Sequence, residues 1–261
     1  MSQAFRFANF KHLMKIASSD IWQLKGSPDT AACFFESPLS VDADGAPKAY
    51  GPHGLQGTLD DLGNAGHPGN WWGILTDDDN IGNPIVQNGI APKQPCAGFY
   101  ISQTSLVELV LEETDVRRYA DATTIPYFAL PFRHFHRKGV QIGDLALVIN
   151  ATNGKFCYAV FADSKSDKPE KLKVGEFSIA AADAIGAPTD ARSGSLTNGI
   201  ITLLFPGSGI GQGSIPDPKT IAVAGQGFLE HFSNHRDKDN KLLTAFPEYP
   251  LFATALVAAG Y

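Results

Sequence analysis

Cysteine is scarce in this chain, and cationic residues are outnumbered by anionic ones. The 261 residues include three cysteines, Cys33, Cys96 and Cys157. An odd count excludes a fully paired disulfide framework within one chain, and the wide spacing excludes a local zinc motif. Cys157 sits in an apolar run and reads as a buried free thiol. Cys33 and Cys96 stay open to pairing if the compartment is oxidising. Charged residues make up only 18%, and 21 Lys and Arg against 27 Asp and Glu leave a net charge of −6 with no basic stripe, which argues against nucleic acid as a partner. No apolar run approaches the roughly 20 residues that span a bilayer, so no membrane insertion is expected. The opening MSQAFRFANFKHLMKIASSD has neither an unbroken apolar stretch nor a small-residue cleavage signal, so no general secretory signal is read in it. Neither an internal repeat nor a low-complexity segment is present.

What the chain does have is turn residues and short apolar runs. Twenty-six glycines and 17 prolines accompany a hydrophobic fraction of 43%, the composition of a β-rich fold with long loops around a proper core. The partial helical spacing of Phe5, Phe7, Phe10, Leu13, Met14, Ile16 and Ala17 predicts an N-terminal helix, and LFATALVAAGY (251–261) predicts a docked terminal one. Pro38 to Pro95 reads as long loops with short strands. From Ala97 the runs GFYISQTSLV, TIPYFALP, DLALVIN, KFCYAVFA and IITLLF read as strands. Asn153-Gly154 between two of them predicts a hairpin. Ser178 to Ile185 is Ala-rich and followed by Gly186, a short helix with a glycine stop. Several short strands in one unit suggest a closed barrel, and all 261 residues are read as a single domain.

Two acids carry the chemical interest. Asp163 ends the run YAVFAD, and Glu176 sits in VGEFSIAAADAIG, with the charged loop SKSDKPEKLK (164–173) between them. Two carboxylates on the ends of adjacent strands can flank one cleft. Glycoside hydrolysis needs such a pair, one carboxyl protonated for the leaving oxygen and the other ionised to activate water or attack the sugar. The structural alternatives are a strand-end turn acid for Asp163 and a helix-start acid for Glu176. Asp42, Asp44 and Gly45 look like a fragment of a calcium loop, but the later ligands are missing and an EF-hand is rejected. Trp72 and Asp77–Asp79 offer either a sugar platform or a core aromatic beside a solvated turn. Asp144 reads as a structural turn residue. His134 and His136 read as surface residues and FPGSGIGQG as a turn-rich loop rather than a nucleotide site. Asn150-Ala151-Thr152 is a glycosylation sequon. Neither metal nor cofactor is expected.

The segments IPYFALP, GVQIGDLALVIN, YAVFAD, VGEFSIAAADAIGA and LLFPGSG, in that order, resemble the core of the glycoside hydrolase family 75 chitosanases, over roughly Ile90 to Gly213. The resemblance implies a six-stranded double-psi β-barrel, an extracellular enzyme and chitosan as substrate; with no secretory signal read in the opening, a cytoplasmic location or non-classical export stays open, and a monomer is expected. The resemblance places the essential acids at Asp163 and Glu176 in an inverting reaction, and we assign Glu176 as general acid and Asp163 as general base. The acidic stretch VDADGAPKAYG resembles the family's cleft lining. Asp42 and Asp44, for which a plain turn is the alternative, are taken as substrate-binding candidates together with Asp121, just before the TIPYFALP strand, and Trp72. A peptidoglycan-cleaving or other polysaccharide-cleaving enzyme on the same barrel, and a carbohydrate-binding module without catalysis, remain the alternatives.

Overall fold

The computed structural model describes residues 10–24, 32–209 and 212–233. Ten strands and three α-helices follow one another as β1 (Phe10–Ile16), β2 (Ser19–Leu24), β3 (Cys33–Asp42), β4 (Gly66–His67), β5 (Asn70–Trp71), β6 (Tyr127–Pro131), α1 (Phe132–His136), β7 (Leu145–Asn150), β8 (Phe156–Lys165), β9 (Glu176–Ser178), α2 (Ile179–Ala184), β10 (Ser195–Phe205) and α3 (Pro218–Ser233). Six of them close on themselves. The ring runs β3, β10, β7, β8, β6, β9 and returns to β3 through a β3–β9 pairing. The β6–β8 and β3–β9 pairs are parallel and the other four antiparallel. A closed ring leaves no edge among its own strands, and its interior is packed with side chains. Phe35, Leu39, Phe128, Val148, Phe161 and Phe177 are among the buried residues, with Phe128 and Phe161 stacked at 5.6 Å between centroids.

The expected N-terminal helix is corrected over its described part. Residues 10–16 form a strand, paired antiparallel with β2 across the turn at Ala17 and Ser18. β2 in turn adds to β3 through Trp22–Phe34 and Gln23–Cys33. Strand pairing beside the barrel outweighs a partial helical spacing, because local propensity is a weak prior against tertiary context. The rest of that expected helix and the expected helix over 251–261 lie outside the described residues.

The loop reading of 38–95 also needs trimming at its start, because β3 runs through Pro38 to Asp42. A proline in mid-strand usually argues against a strand. Here the partner strand bulges. Leu39 pairs with Leu196 and Ser37 with Ile200, so Pro38 faces the irregular stretch of β10 between them. There its missing N–H removes no regular ladder bond. The run GFYISQTSLV, expected as a strand, stays extended without joining a sheet. It makes isolated bridges at Ser102–Ile74, Tyr100–Val86 and Val107–Tyr119.

Other local readings hold. β7 and β8 pair antiparallel around the Asn153-Gly154 turn, where Gly154 takes φ of 74°. Ser178 caps α2 by accepting from the Ala181 N–H, and Gly186 follows its end with φ of 63°. Asp144 is buried and accepts from the backbone N–H groups of Gln141, Gly207 and Gly209, which ties the loop after β10 to the start of β7. Asn150 is buried and donates to Ile185 O, so the sequon asparagine is a structural turn residue. The three cysteines are free, and burial pushes the thiols of Cys33 and Cys157 up to about 12. No helix among the described residues is long and apolar enough to cross a membrane.

Candidate active site

The barrel brings Asp163 and Glu176 to the same level. Ala129 of β6 is the register partner of both, of Asp163 on its β8 side and of Glu176 on its β9 side. One small residue therefore separates two acids on the strands flanking it. A bulge sets the Asp163 position. Phe128 pairs with Phe161 and Ala129 with Asp163, leaving Ala162 as the extra residue. The Ala162 carbonyl accepts from Leu106 N at 2.7 Å, and this docks the neighbouring Ser105 onto the acid. Ser105 donates to Asp163 Oδ1 from both its N–H and its hydroxyl, each at 3.1 Å. Bulges of this kind re-aim side chains beside active sites.

Glu176 is placed by Gly175. That residue has φ of 97°, and a Cβ on it would stand 2.1 Å from the Pro38 carbonyl oxygen. Only glycine allows β9 to approach β3 this closely. The approach puts Glu176 opposite Ser40 and carries the barrel closure on to Asp42 opposite Ser178.

Asp42 and Asp44 join the pair. Asp42 ends β3, and its Oδ1 accepts from the Asp44 N–H at 2.9 Å. Asp44 Oδ1 accepts from the Tyr50 hydroxyl at 2.8 Å, and its backbone carbonyl accepts from the Tyr127 hydroxyl at 2.9 Å. The Asp42, Asp44 and Asp163 oxygens lie within 4.8 Å of one another, close enough to gather round one cation. That cation is Lys165. Its Nζ is 2.9 Å from Asp42 Oδ2, 2.9 Å from Asp44 Oδ2, 3.0 Å from Asp163 Oδ2 and 3.6 Å from Glu176 Oε1. Lys173, on the segment leading into β9, reaches Glu176 Oε2 at 3.3 Å. That contact lacks hydrogen-bond geometry, and the buried Oε2 makes no hydrogen bond.

The electrostatics follow from burial and crowding. Burial, then the charge of Asp42, holds the Asp44 carboxyl well above the usual carboxylate range. Burial raises Asp163 as well, against the pull of Lys165 and the Ser105 hydrogen bond. For Lys165 burial alone would favour the neutral amine. The charges of Asp42, Asp44, Glu176 and Asp163 prevail and hold its ammonium well above the ordinary lysine range. Tyr50 and Tyr127 are pushed well up by burial and remain neutral O–H donors. Two cations among four acids leave the cluster with an excess of negative charge and at least one proton to place.

The remaining candidates fall outside this cluster. Trp72 is half exposed, its indole N–H donating to Asn64 O, with Lys171 Nζ 5.0 Å from its ring centroid. Trp71 is core. The Asp121 carboxylate caps its own turn by accepting from the Thr123 N–H and hydroxyl. Asp77 does the same for Asn83 in an exposed turn. His134 lies in α1, and its Nδ1 is 2.9 Å from Asp167, pinning the segment between β8 and β9. The apolar hollow lined by Phe156, Cys157, Ala180, Ala184, Pro218 and Ala222 contains none of the clustered acids.

Lys165, Ser105 and the two tyrosines are not singled out by the sequence reading, which assigns Lys165 to the charged loop 164–173. β8 in fact continues through Lys165. The signal for it is the period of two. Residues i and i+2 on a strand share a face, so Lys165 points where Asp163 points.

A barrel that opposes two acids across one small residue, with a third and fourth acid beside them, has the parts of a glycoside hydrolase. The family is specific. The model of the fungal chitosanases of glycosyl hydrolase group 75 matches residues 97–242, and the chain belongs to that family, whose activity is glycosidic. No curated protein matches the chain.

Proposed function

We propose that this protein is an endo-acting chitosanase, cleaving β-1,4 linkages between glucosamine units with inversion, on a barrel of the double-psi type. The observation that carries this reading is the shared register of Asp163 and Glu176 at Ala129, within a cluster rich in negative charge. A polymer of glucosamine is cationic below its amine pKa, and an acidic site attracts it.

The hydrogen bonds support a role for each acid. Asp163 meets the Ser105 N–H and hydroxyl at one oxygen and the Lys165 ammonium at the other, an environment that favours its ionised form. It is the general base, and burial makes it a stronger one. Glu176 has an oxygen without a hydrogen bond and is the general acid. Their facing oxygens can be no farther apart than the sum of their distances to Lys165 Nζ. That upper bound only just reaches the roughly 6.5–9.5 Å that admits an attacking water, so inversion rests on the family reading and requires these oxygens to stand on opposite sides of the ammonium. Trp72 is a sugar platform, with Lys171 on its face until substrate arrives. Asp42 and Asp44 act from behind the pair, and Asp121 lines the cleft.

Reducing-end release on chitosans of graded acetylation, on chitin and on murein tests the proposal. Rates are expected to rise with deacetylation, to fall with added salt, and to give the α-anomer first by proton NMR. Preference for chitin or murein overturns the substrate, the β-anomer overturns inversion, and polymer binding without new reducing ends overturns catalysis.

A further inference from the structure

We propose that Lys165 is the internal counter-ion that keeps Asp163 ionised among three other buried acids, and so is a positioning residue for hydrolysis. The inference rests on the glycosidase reading of the same site.

Four carboxylates from three strands and a turn meet at one nitrogen. Asp42 comes from the end of β3, Asp44 from the turn after it, Asp163 from β8 itself and Glu176 from β9. Asp44 Oδ2 accepts a hydrogen bond from the ammonium at 2.9 Å, Asp163 Oδ2 and Asp42 Oδ2 pair with it at 3.0 and 2.9 Å, the Asp42 contact being an ion pair without hydrogen-bond geometry, and Glu176 stands farther off at 3.6 Å. The other groups facing the cluster supply no second buried cation. Tyr50 and Tyr127 present neutral hydroxyls to Asp44, Ser105 presents an N–H and a hydroxyl to Asp163, and Lys173 contacts Glu176 from a half-exposed position. Without Lys165, Asp163 would share its pocket with Asp42 and Asp44 and no opposite charge within reach. Like charges at such spacing cannot all ionise. Asp163 would take a proton and cease to be a base.

Lys165 therefore separates two opposing demands. Burial and the charge of Asp42 raise Asp163 above the usual carboxylate range, which strengthens it as a base. Lys165 stops that rise before the carboxyl is permanently protonated. The lysine does not touch the water or the sugar in this scheme, and its effect is on a protonation state.

The test is Lys165→Met, which keeps length and apolar volume and removes the charge. Asp163 is followed by ¹³C carboxyl NMR titration, and kcat/KM on chitosan is measured against pH. The acid limb is expected to move up by about 1–3 pH units, the usual size of an ion-pair effect on a carboxyl. Turnover on that limb then falls roughly 10- to 1,000-fold and recovers as pH rises. An unchanged Asp163 titration, or a loss of equal size at every pH, overturns the proposal. Should the variant not fold, ¹⁵N NMR of the Lys165 ammonium in the wild-type protein decides. It is expected to keep its proton above the ordinary lysine range, and deprotonation below that range overturns the counter-ion role. Neither NMR readout needs activity. A wild-type protein that leaves chitosan uncut would thus defeat the chitosanase reading while the titrations still judge Lys165.

Discussion

Replacing Glu176 with glutamine is expected to remove catalysis while leaving the fold intact. The substitution keeps the side chain's shape and deletes one transferable proton. Glu176 Oε2 makes no hydrogen bond, so an amide NH₂ in its place breaks none. The Lys173 contact at 3.3 Å involves a half-exposed lysine that can turn into solvent, and such pairs contribute about 0–1 kcal/mol. Lys165 stands 3.6 Å from Oε1, and an amide oxygen serves it there nearly as well. Removing one of four crowded negative charges offsets part of what is lost. The amide N–H groups gain no acceptor in that buried position, so stability should fall by about 1–3 kcal/mol at most, read from urea denaturation. Turnover should fall about 10²–10⁴-fold, the usual contribution of one general acid, or roughly 2.7–5.4 kcal/mol of barrier. A chitooligosaccharide carrying a dinitrophenyl leaving group separates the roles, because that group departs without a proton. Glu176→Gln should cleave it at close to the wild-type rate, whereas Asp163→Asn, lacking the base, should not. A folded Glu176→Gln protein within tenfold of wild type on chitosan refutes the reasoning. So does equal impairment of both variants on the activated substrate.

Stability should fall as pH rises from roughly 3.9, the unfolded carboxylate value, toward neutrality. Asp44, Asp60, Asp144 and Asp163 are all raised first by burial, so the folded chain binds more protons than the unfolded one above roughly 3.9 and loses that stability as pH climbs through the raised values. Asp115, lowered by its hydrogen bond with Arg117, works in the opposite sense, its contribution lost only as pH falls through its depressed value. A urea midpoint that rises with pH over that interval contradicts this account. Gly175→Ala puts a methyl against the Pro38 carbonyl at a positive φ and should cost about 3 kcal/mol or more, together with most of the turnover. A variant of wild-type stability would show that β9 can move away from β3 at no cost. Trp72→Ala should raise KM a few-fold with kcat little changed, since a stacked or cation–π contact at an exposed ring is worth about 0.5–1 kcal/mol. A fall in kcat at constant KM would take Trp72 out of ground-state binding.

The acid-bearing hairpin was legible because its signals are local. Asn153-Gly154 demands a tight turn, Ser178 and Gly186 bracket a helix, and alternation along YAVFAD marks a strand. The N-terminal hairpin was not legible, because residues 10–16 are a strand only by virtue of β2 and β3 beside them. Pro38 hid β3 for a related reason. Its tolerance depends on an irregularity in β10, more than 150 residues away in sequence, and no window around Pro38 contains that fact. The site shows the same division. Asp163 and Glu176 stand out as strand-end acids, but that both meet Ala129 is a property of barrel closure. Asp42 and Asp44 reach the site through β3, the strand the proline concealed. Lys165 is the sharpest case. Composition places it in a run of lysines and acids that looks solvated, and local reasoning has no ground to separate it from Lys168, Lys171 or Lys173. Two residues of strand continuation beyond Asp163 turn it inward. From there the three aspartates, none adjacent to it in sequence, make a buried ammonium tenable, and the ammonium in turn makes the aspartates tenable.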